Sequence, residues 1–320
     1  MTPGEAAEAG EAILDAVGRA VVGKREAVEL VLAAILADGH VLVEDLPGVG
    51  KTLLVRSLGA ATGLGHSRIQ FTPDLMPLDI TGSTVLEPET RQPRFHPGPV
   101  FAHLLLADEI NRAPAKTQAA LLEAMQERQV TIDGVTHALE PPFLVVATQN
   151  PIEYEGTYPL PEAQMDRFLV RVDLGYPDAA DEWEILRARA ERKTDQIDVV
   201  QVIDRETFLS MQRAVENVHV SPPVGRYIVE VIEATRSHHR IRVGVSPRGS
   251  LALMRMARAR AALSGRDFLV PDDVQEVAVP ALAHRLILRP EAWAAGVGER
   301  SVIEACLASV PVPTVAPERR

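Results

Sequence analysis

The chain has 320 residues, 46% apolar and 24% charged, with a formal net charge of −11. That profile describes an ordinary globular protein of about two domains and excludes a fibrous or low-complexity chain. The acidic balance disfavours broad contact with nucleic acid or an anionic membrane, and the single cysteine, Cys306, excludes an intrachain disulfide and suits a reducing compartment.

The opening stretch MTPGEAAEAGEAILDAVGRA is acidic and amphipathic, unlike the basic-then-apolar layout of a signal peptide. No apolar run approaches the ~18 residues that span a bilayer. A cytoplasmic protein with no membrane segment is expected. Five apolar β-type runs then alternate with helical patterns: HVLVE (40–44), SRIQF (67–71), AHLLLA (102–107), FLVVAT (143–148) and FLVRVDL (168–174). Their near-continuous apolar character predicts strands buried on both faces, hence an α/β domain with a parallel sheet covered by helices.

Past GYPD (175–178) helical periodicity takes over, in DEWEILRARAER, TFLSMQRAVENV, GRYIVEVIEATRSHH and RGSLALMRMARARAALSG. VPDDVQEVAVPALAHRL sets a proline and two acids at a helix start. The expected division is an α/β domain over 1–176, an all-helical domain over 177–310 and a disordered proline-rich tail over 311–320. Two segments interrupt the alternation, TGSTVLEPETRQPRFHPGPV (81–100) and QVTIDGVTHAL (129–139). In the second, Asp133-Gly134 between alternating residues is a strong two-residue hairpin signal.

The run HVLVE-DLPGVGKT followed by a helical pattern is the strand–loop–helix context of a phosphate loop. The pattern G-x-x-x-x-G-K-[ST] is met at Gly50, Lys51 and Thr52 but has Asp45 in place of its first glycine. Backbone N–H groups of residues 48–52 are expected to point at the β-phosphate, with Lys51 reaching the β- and γ-phosphates and Thr52 holding Mg²⁺. Gly48 and Gly50 must let the backbone approach the nucleotide, whereas a side chain at 45 that points away is tolerable. HLLLADEINRA is an apolar strand ending in Asp108-Glu109. An isolated acidic pair there would cap the next helix. Beside a phosphate loop, Asp108 is suited to support Mg²⁺ through water and Glu109 to polarise the attacking water. FLVVATQNP brings Asn150 to the carboxyl end of a third strand, where ligands of open parallel sheets bind, or leaves it as a turn residue before Pro151.

In order and spacing these motifs resemble the AAA+ superfamily and, within it, the MoxR family. The resemblance rests on VVGKREAVELVLAAILADGHVLVEDLPGVGKT, RIQFTPDLMPLDITG, GPVFAHLLLADEINRAPAKTQAALLEAMQE, ATQNPIEYEGTYPLPEAQMDRFL and GVSPRG, and covers most of the chain. It implies a P-loop AAA+ three-layer αβα domain with a smaller all-helical lid, ATP/ADP and Mg²⁺ as ligands, and ATP hydrolysis. By position, Val22 and Gly23 resemble the loop that contacts adenine. Pro47, Gly48, Val49, Gly50, Lys51, Thr52 and Leu53 fall in or beside Walker A. Asp108 and Glu109 match Walker B, Asn150 matches sensor 1, Arg167 of DRF the arginine finger and Arg248 of SPRG sensor 2. The family commonly carries an acidic ED ahead of P-G-x-G-K-T, which accounts for Asp45. The interrupting segments resemble the helix-2 insert and the pre-sensor-1 hairpin, which face a central pore.

The resemblance further implies a homo-oligomeric, expectedly hexameric, ring that remodels, assembles or matures a protein client, with von Willebrand factor A domain proteins as associates. Metal-cofactor insertion into client enzymes is one such outcome. A second implied reading is the ATPase motor of a magnesium-chelatase-like complex. A monomeric GTPase-like switch is disfavoured, because N-K-x-D is absent and the lid with Arg248 is left unexplained. No appended DNA-binding module is apparent. Arg167 precedes a strand, with an ion pair to Asp166 or Glu162 as the plain alternative. Arg248 opens a helix, where a cation is poorly matched to the dipole and a phosphate would supply counter-charge. Arg112 fits a subunit boundary or the surface equally. His238 and His239 are expected to face apart, without a metal site. Met254 and Met256 read as packing or surface residues, and the arginines of 255–260 as a solvated face.

Overall fold

Thr2 and Glu5 form a capping box that, with Pro3, starts α1 (Pro3–Gly18); a turn through Gly23 leads to α2 (Arg25–Leu36). The computed structural model describes residues 1–45, 48–89, 91–150 and 157–314. Along the chain follow β1 (Val41–Glu44), α3 (Lys51–Thr62), β2 (His66–Gln70), α4 (Pro77–Thr81), β3 (Gly82–Leu86) and β4 (Pro93–Pro97). Next come β5 (Leu104–Asp108), α5 (Ala115–Glu127), β6 (Gln129–Ile132), β7 (Val135–Ala138), β8 (Leu144–Gln149), α6 (Glu162–Met165) and β9 (Val170–Val172). Five strands form one sheet in the order β2-β5-β8-β1-β9, every pair parallel.

Successive residues of a strand point to opposite faces, and the core divides accordingly. Val41, Val43, Leu104, Leu106, Leu144 and Val146 enter one apolar cluster, which continues through α1 and α2 into the later helices. Leu42, Leu105, Ala107, Val145 and Ala147 enter a second, closed by Leu121, Leu122 and Met125 of α5. β1, β5 and β8 are thus buried on both faces, as their composition predicts. β2 is not: it is one of the two edge strands, with His66 and Arg68 exposed.

The rest of the chain is α7 (Ala179–Arg192), α8 (Arg205–Glu216), α9 (Pro222–Ser237), β10 (Ile241–Val243), α10 (Pro247–Leu263), α11 (Pro271–Leu282), β11 (Ile287–Leu288), α12 (Pro290–Ala294) and α13 (Glu299–Ser309). β10 and β11 pair antiparallel, a ribbon too short to leave a period-two signal in the sequence. Asp273 caps α11 by accepting the Val270 N–H at 2.9 Å. α1 packs on α3 and on α10, so the N-terminal helix joins the sheet to the helical region. Both interrupting segments are antiparallel hairpins, β3–β4 and β6–β7. The second turns through Asp133 (φ 50°) and Gly134 (φ 79°), and Phe95 stacks on His137 at 4.2 Å to join the two.

Two expectations are corrected. The arginines of 255–260 are not a solvated face: Arg255 donates to the Ala37 carbonyl, Arg258 pairs with Glu216, and Arg260 pairs with Glu29 and Glu276. α10 lies between α2, α8 and α11, so its basic side chains tie helices together. His238 and His239 do not face apart; the chain leaves α9 extended at His238 and the rings stack at 4.7 Å. No cluster of three or more His, Cys, Asp or Glu suited to a metal ion occurs among the described residues. Met256 is buried and Met254 packs against the core. Of the expected tail, residues 315–320 lie outside the described residues. Among the described residues no helix is long and apolar enough to cross a membrane.

His40, just before β1, is buried; its Nε2 donates to the Met125 carbonyl at 3.2 Å, and its Nδ1 accepts the Val145 N–H at 3.0 Å. Burial above all, then Arg128, lowers its pKa from 6.5 to about 3. The folded chain keeps His40 neutral while the unfolded chain protonates it below its ordinary pKa, so this stability is present above pH 6.5 and is lost as pH falls towards 3. His40→Phe, which strands the Val145 N–H, should lower the unfolding free energy by about 1–3 kcal/mol near neutral pH. Denaturant titrations should show the gap between variant and wild type narrowing below pH 6.5; a pH-independent gap contradicts a neutral His40.

Candidate functional site

Strand register brings three chain turns to one edge of the sheet. Glu44 lies opposite Gln149, Gln70 opposite Asp108, and Ala107 opposite Ala147. The loop after β1 therefore sits beside the ends of β5 and β8. Gly48 (φ 86°) and Gly50 (φ 93°) take left-handed conformations that side chains resist, and a Cβ at either would meet nothing within 4 Å. Among the described residues α3 starts with no side-chain cap, and its first turn carries no acid. Its first N–H groups and positive dipole end are open to an anion. Lys51 is buried, and its Nζ donates to the Asp45 carbonyl at 2.9 Å. Thr52 is exposed, Val49 and Leu53 are half-buried against the core, and Pro47 lies outside the described residues. Val22 is half-buried beside Gly23, which abuts Asp181 of α7, and the Lys24 Nζ donates to the Tyr176 carbonyl at 2.7 Å. Gly23, Leu174 and α11 residues Val279 and Pro280 line a cleft of about 800 Å³.

Asp45 has a structural task that explains why glycine does not stand there. Its carboxylate Oδ2 accepts the N–H groups of Leu174 at 2.7 Å and Gly175 at 2.6 Å, where the chain leaves β9 for the helical region. Its carbonyl holds Lys51. One residue thus fastens the phosphate-loop lysine and the exit of β9 to the end of β1.

Asp108 ends β5 and accepts the Thr148 hydroxyl on Oδ1 at 2.6 Å and the Arg68 guanidinium on Oδ2 at 2.7 Å. Glu109 stands at φ 55°, a left-handed conformation costing a non-glycine residue about 1–3 kcal/mol. Its N–H donates to the Thr148 hydroxyl at 2.8 Å, and its carboxylate accepts Gln70 Nε2 at 2.7 Å and Arg112 at 3.0 Å. Asn150, at the end of β8, is buried, and its carbonyl accepts Asn111 Nδ2 at 3.3 Å. The oxygens of Asp108 and Thr52 are hard donors that suit Mg²⁺, and Asp108 already attracts one cation, the guanidinium of Arg68. Arg68 and Gln70 escape sequence reasoning; their only trace is the polar alternation around Ile69 in SRIQF.

Arg167 and Arg248 lie elsewhere. They line a pocket of about 290 Å³ with Arg128, Arg255, Arg285, Asp38 and Asp166. His40, at the amino end of β1, borders the same pocket. At about 3.3 Å per residue, His40 and Asp45 are separated by roughly 16 Å along that strand. Arg248 does not stand beside Lys51: its guanidinium is 4.0 Å from the Asp166 carboxylate, which supplies the counter-charge expected of a phosphate. Asp166 is also engaged by Arg285, whose side chain is 4% exposed. Burial lowers the Arg285 pKa, and Asp166 opposes that shift. Neither Asp166 nor Glu162 pairs with Arg167; among the described residues, its Nε is buried and has no hydrogen-bond partner.

Residues 40–170 match the family described as "ATPase family associated with various cellular activities (AAA)", and residues 233–306 match its "AAA lid domain". The chain is 49% identical to the "Uncharacterized protein YeaC" of Bacillus subtilis, over 93% of this chain and 92% of that one. It is 44% identical to "Chaperone MoxR1" of Mycobacterium tuberculosis, over 93% of this chain and 81% of the relative. A crystal structure of a putative ATPase from Cytophaga hutchinsonii superposes with a TM-score of 0.91 at 40% identity, covering 97% and 96% of the two chains.

The Asp45 bonds are testable by stability. Asp45→Gly completes the ordinary phosphate-loop pattern yet removes the carboxylate oxygen that accepts both N–H groups, and should destabilise the chain by about 1.5–3 kcal/mol. Asp45→Asn, which retains one acceptor oxygen, should lose less in the same urea titration. A glycine variant as stable as wild type contradicts the assignment.

Proposed function

The chain belongs to the MoxR branch of the AAA+ ATPases, and from that premise we propose that it forms a ring, expectedly hexameric, that hydrolyses ATP between neighbouring subunits to remodel or mature a protein client in the cytoplasm. The observation that carries this reading is the separation of two sets of charged side chains by the length of β1. Lys51 lies at one end, with Asp108 and Glu109, and Arg167 and Arg248 lie at the other. One chain presents both halves of a phosphoryl-transfer site, facing different ways. A neighbour closes each half.

In this reading the first-turn N–H groups of α3 and Lys51 offset the β- and γ-phosphate charge. Thr52 and Asp108 would hold Mg²⁺, which neutralises charge developing on the phosphate oxygens. Arg68, which now donates to Asp108, would have to give up that bond for the carboxylate to hold the ion. Glu109 gives up its bonds from Gln70 and Arg112 to accept one from the attacking water, which it polarises. Asn150 orients the γ-phosphate side. Arg167 and Arg248 of the neighbour meet the charge that develops on transfer. Support for a protein client comes from the relative named a chaperone and from the exposed apolar residues Val85, Leu86 and Val135 on the two hairpins.

Subunit mixing tests the shared site. Arg167→Ala and Glu109→Gln proteins should each bind ATP and hydrolyse it poorly, the former by a factor on the order of 10³–10⁵. After subunit exchange, some interfaces combine an intact Glu109 with a neighbour's Arg167, so the mixture should recover partial activity. No recovery, with exchange shown by labelled subunits, would exclude a site shared between chains.

A further inference from the structure

The segment that carries Arg167 is held by the helical region, and by one side chain above the others. Arg285 follows α11 and is nearly fully enclosed. Its Nη1 donates to the Asp166 carbonyl at 2.9 Å and also to the Asp166 carboxylate. Its Nη2 donates to the Phe168 carbonyl at 2.6 Å, and its Nε donates back to the end of α11 at the Ala281 carbonyl, 2.8 Å away. Two of the backbone carbonyls it grips, those of Asp166 and Phe168, stand on either side of Arg167. His284 adds a bond from Nε2 to the Phe168 carbonyl at 3.1 Å.

We propose that Arg285 is a positioning residue that fixes the backbone around Arg167, so that this guanidinium is presented to the nucleotide of the neighbouring subunit. The inference rests on the shared-site reading above. A planar fork of five donors can span two carbonyls and a carboxylate at once, which the single ammonium of a lysine cannot. Among the described residues the Nε of Arg167 is buried with no hydrogen-bond partner, so its placement leans on the backbone and packing around it. The clamp also links two places. Val279, Pro280 and Ala283 line the cleft beside Gly23, and Arg285 lies two residues beyond Ala283. Each subunit would thereby orient the arginine it lends through the same helix that borders its own nucleotide loop.

A residue that merely holds the fold together would damage both halves of the subunit; a residue that positions Arg167 damages only the half it lends. Arg285→Ala should lower kcat about a hundredfold, the loss expected for a catalytic group displaced by an ångström, and leave KM for ATP little changed. Mixed with Glu109→Gln subunits, which lend an intact Arg167, it should regain activity as Arg167→Ala does. Mixed with Arg167→Ala subunits it should stay inactive, because neither protein lends a working arginine. Arg285→Gln should give the same pattern with a smaller loss, and decides the matter if the alanine variant fails to enter rings. Wild-type kcat in both variants overturns the proposal. So does failure to regain activity with Glu109→Gln when the Arg167→Ala control succeeds. Failure of that control instead sinks the shared-site reading, and this proposal with it.

Discussion

All five strands of the sheet run the same way, and most of what the molecule presents follows from that direction. Parallel register stacks the ends of β1, β5 and β8 so that Lys51, Asp108, Glu109 and Asn150 share one edge. The same register sends the amino ends of β1 and β9 to the opposite edge, where Leu169 bonds back to the His40 carbonyl at 2.7 Å. A helix that follows β9 must cross the molecule, and α11 does so, bordering the nucleotide-loop cleft and ending beside Arg167. On the proposed reading each edge is chemically incomplete until a neighbour meets it.

Electrostatics fits that division. Each of these three charged side chains at the first edge has a local partner: Lys51 the Asp45 carbonyl, Asp108 the Arg68 guanidinium, Glu109 the side chains of Gln70 and Arg112. These partners are exchangeable, since Arg68 and Arg112 are about half exposed and surface ion pairs contribute little. At the second edge five arginines face two aspartates, a local positive excess in a chain of net charge −11. On the proposed reading, such an excess, partly shielded from water, would receive the anion that a neighbouring subunit brings.

Much of this was legible in the residues alone, for physical reasons that differ by element. Buried parallel strands read as continuous apolar runs, and Asp133-Gly134 encodes its turn locally, so both were found. The motif residues of β1, β5 and β8 announce themselves because phosphate chemistry restricts what can stand there. Asp45 was legible as an anomaly, but its task depends on Leu174, more than a hundred residues away. Arg68 and Gln70 act through sheet register, which one edge strand does not disclose. Arg285 in AHRL looks like any base near a helix end. The arginines of 255–260 deceived for the same reason, since helix packing and not local pattern decides whether a basic side chain meets water or a carbonyl.

The most direct test of the account is an electron cryomicroscopy structure of the Glu109→Gln protein saturated with ATP and Mg²⁺. The account predicts closed rings in which Arg167 and Arg248 of one subunit lie within hydrogen-bond distance, about 2.7–3.2 Å, of the γ-phosphate held by Lys51 of the next. It would be contradicted by a γ-phosphate met by Arg248 of the chain that binds it, or by a nucleotide-bound form that remains monomeric.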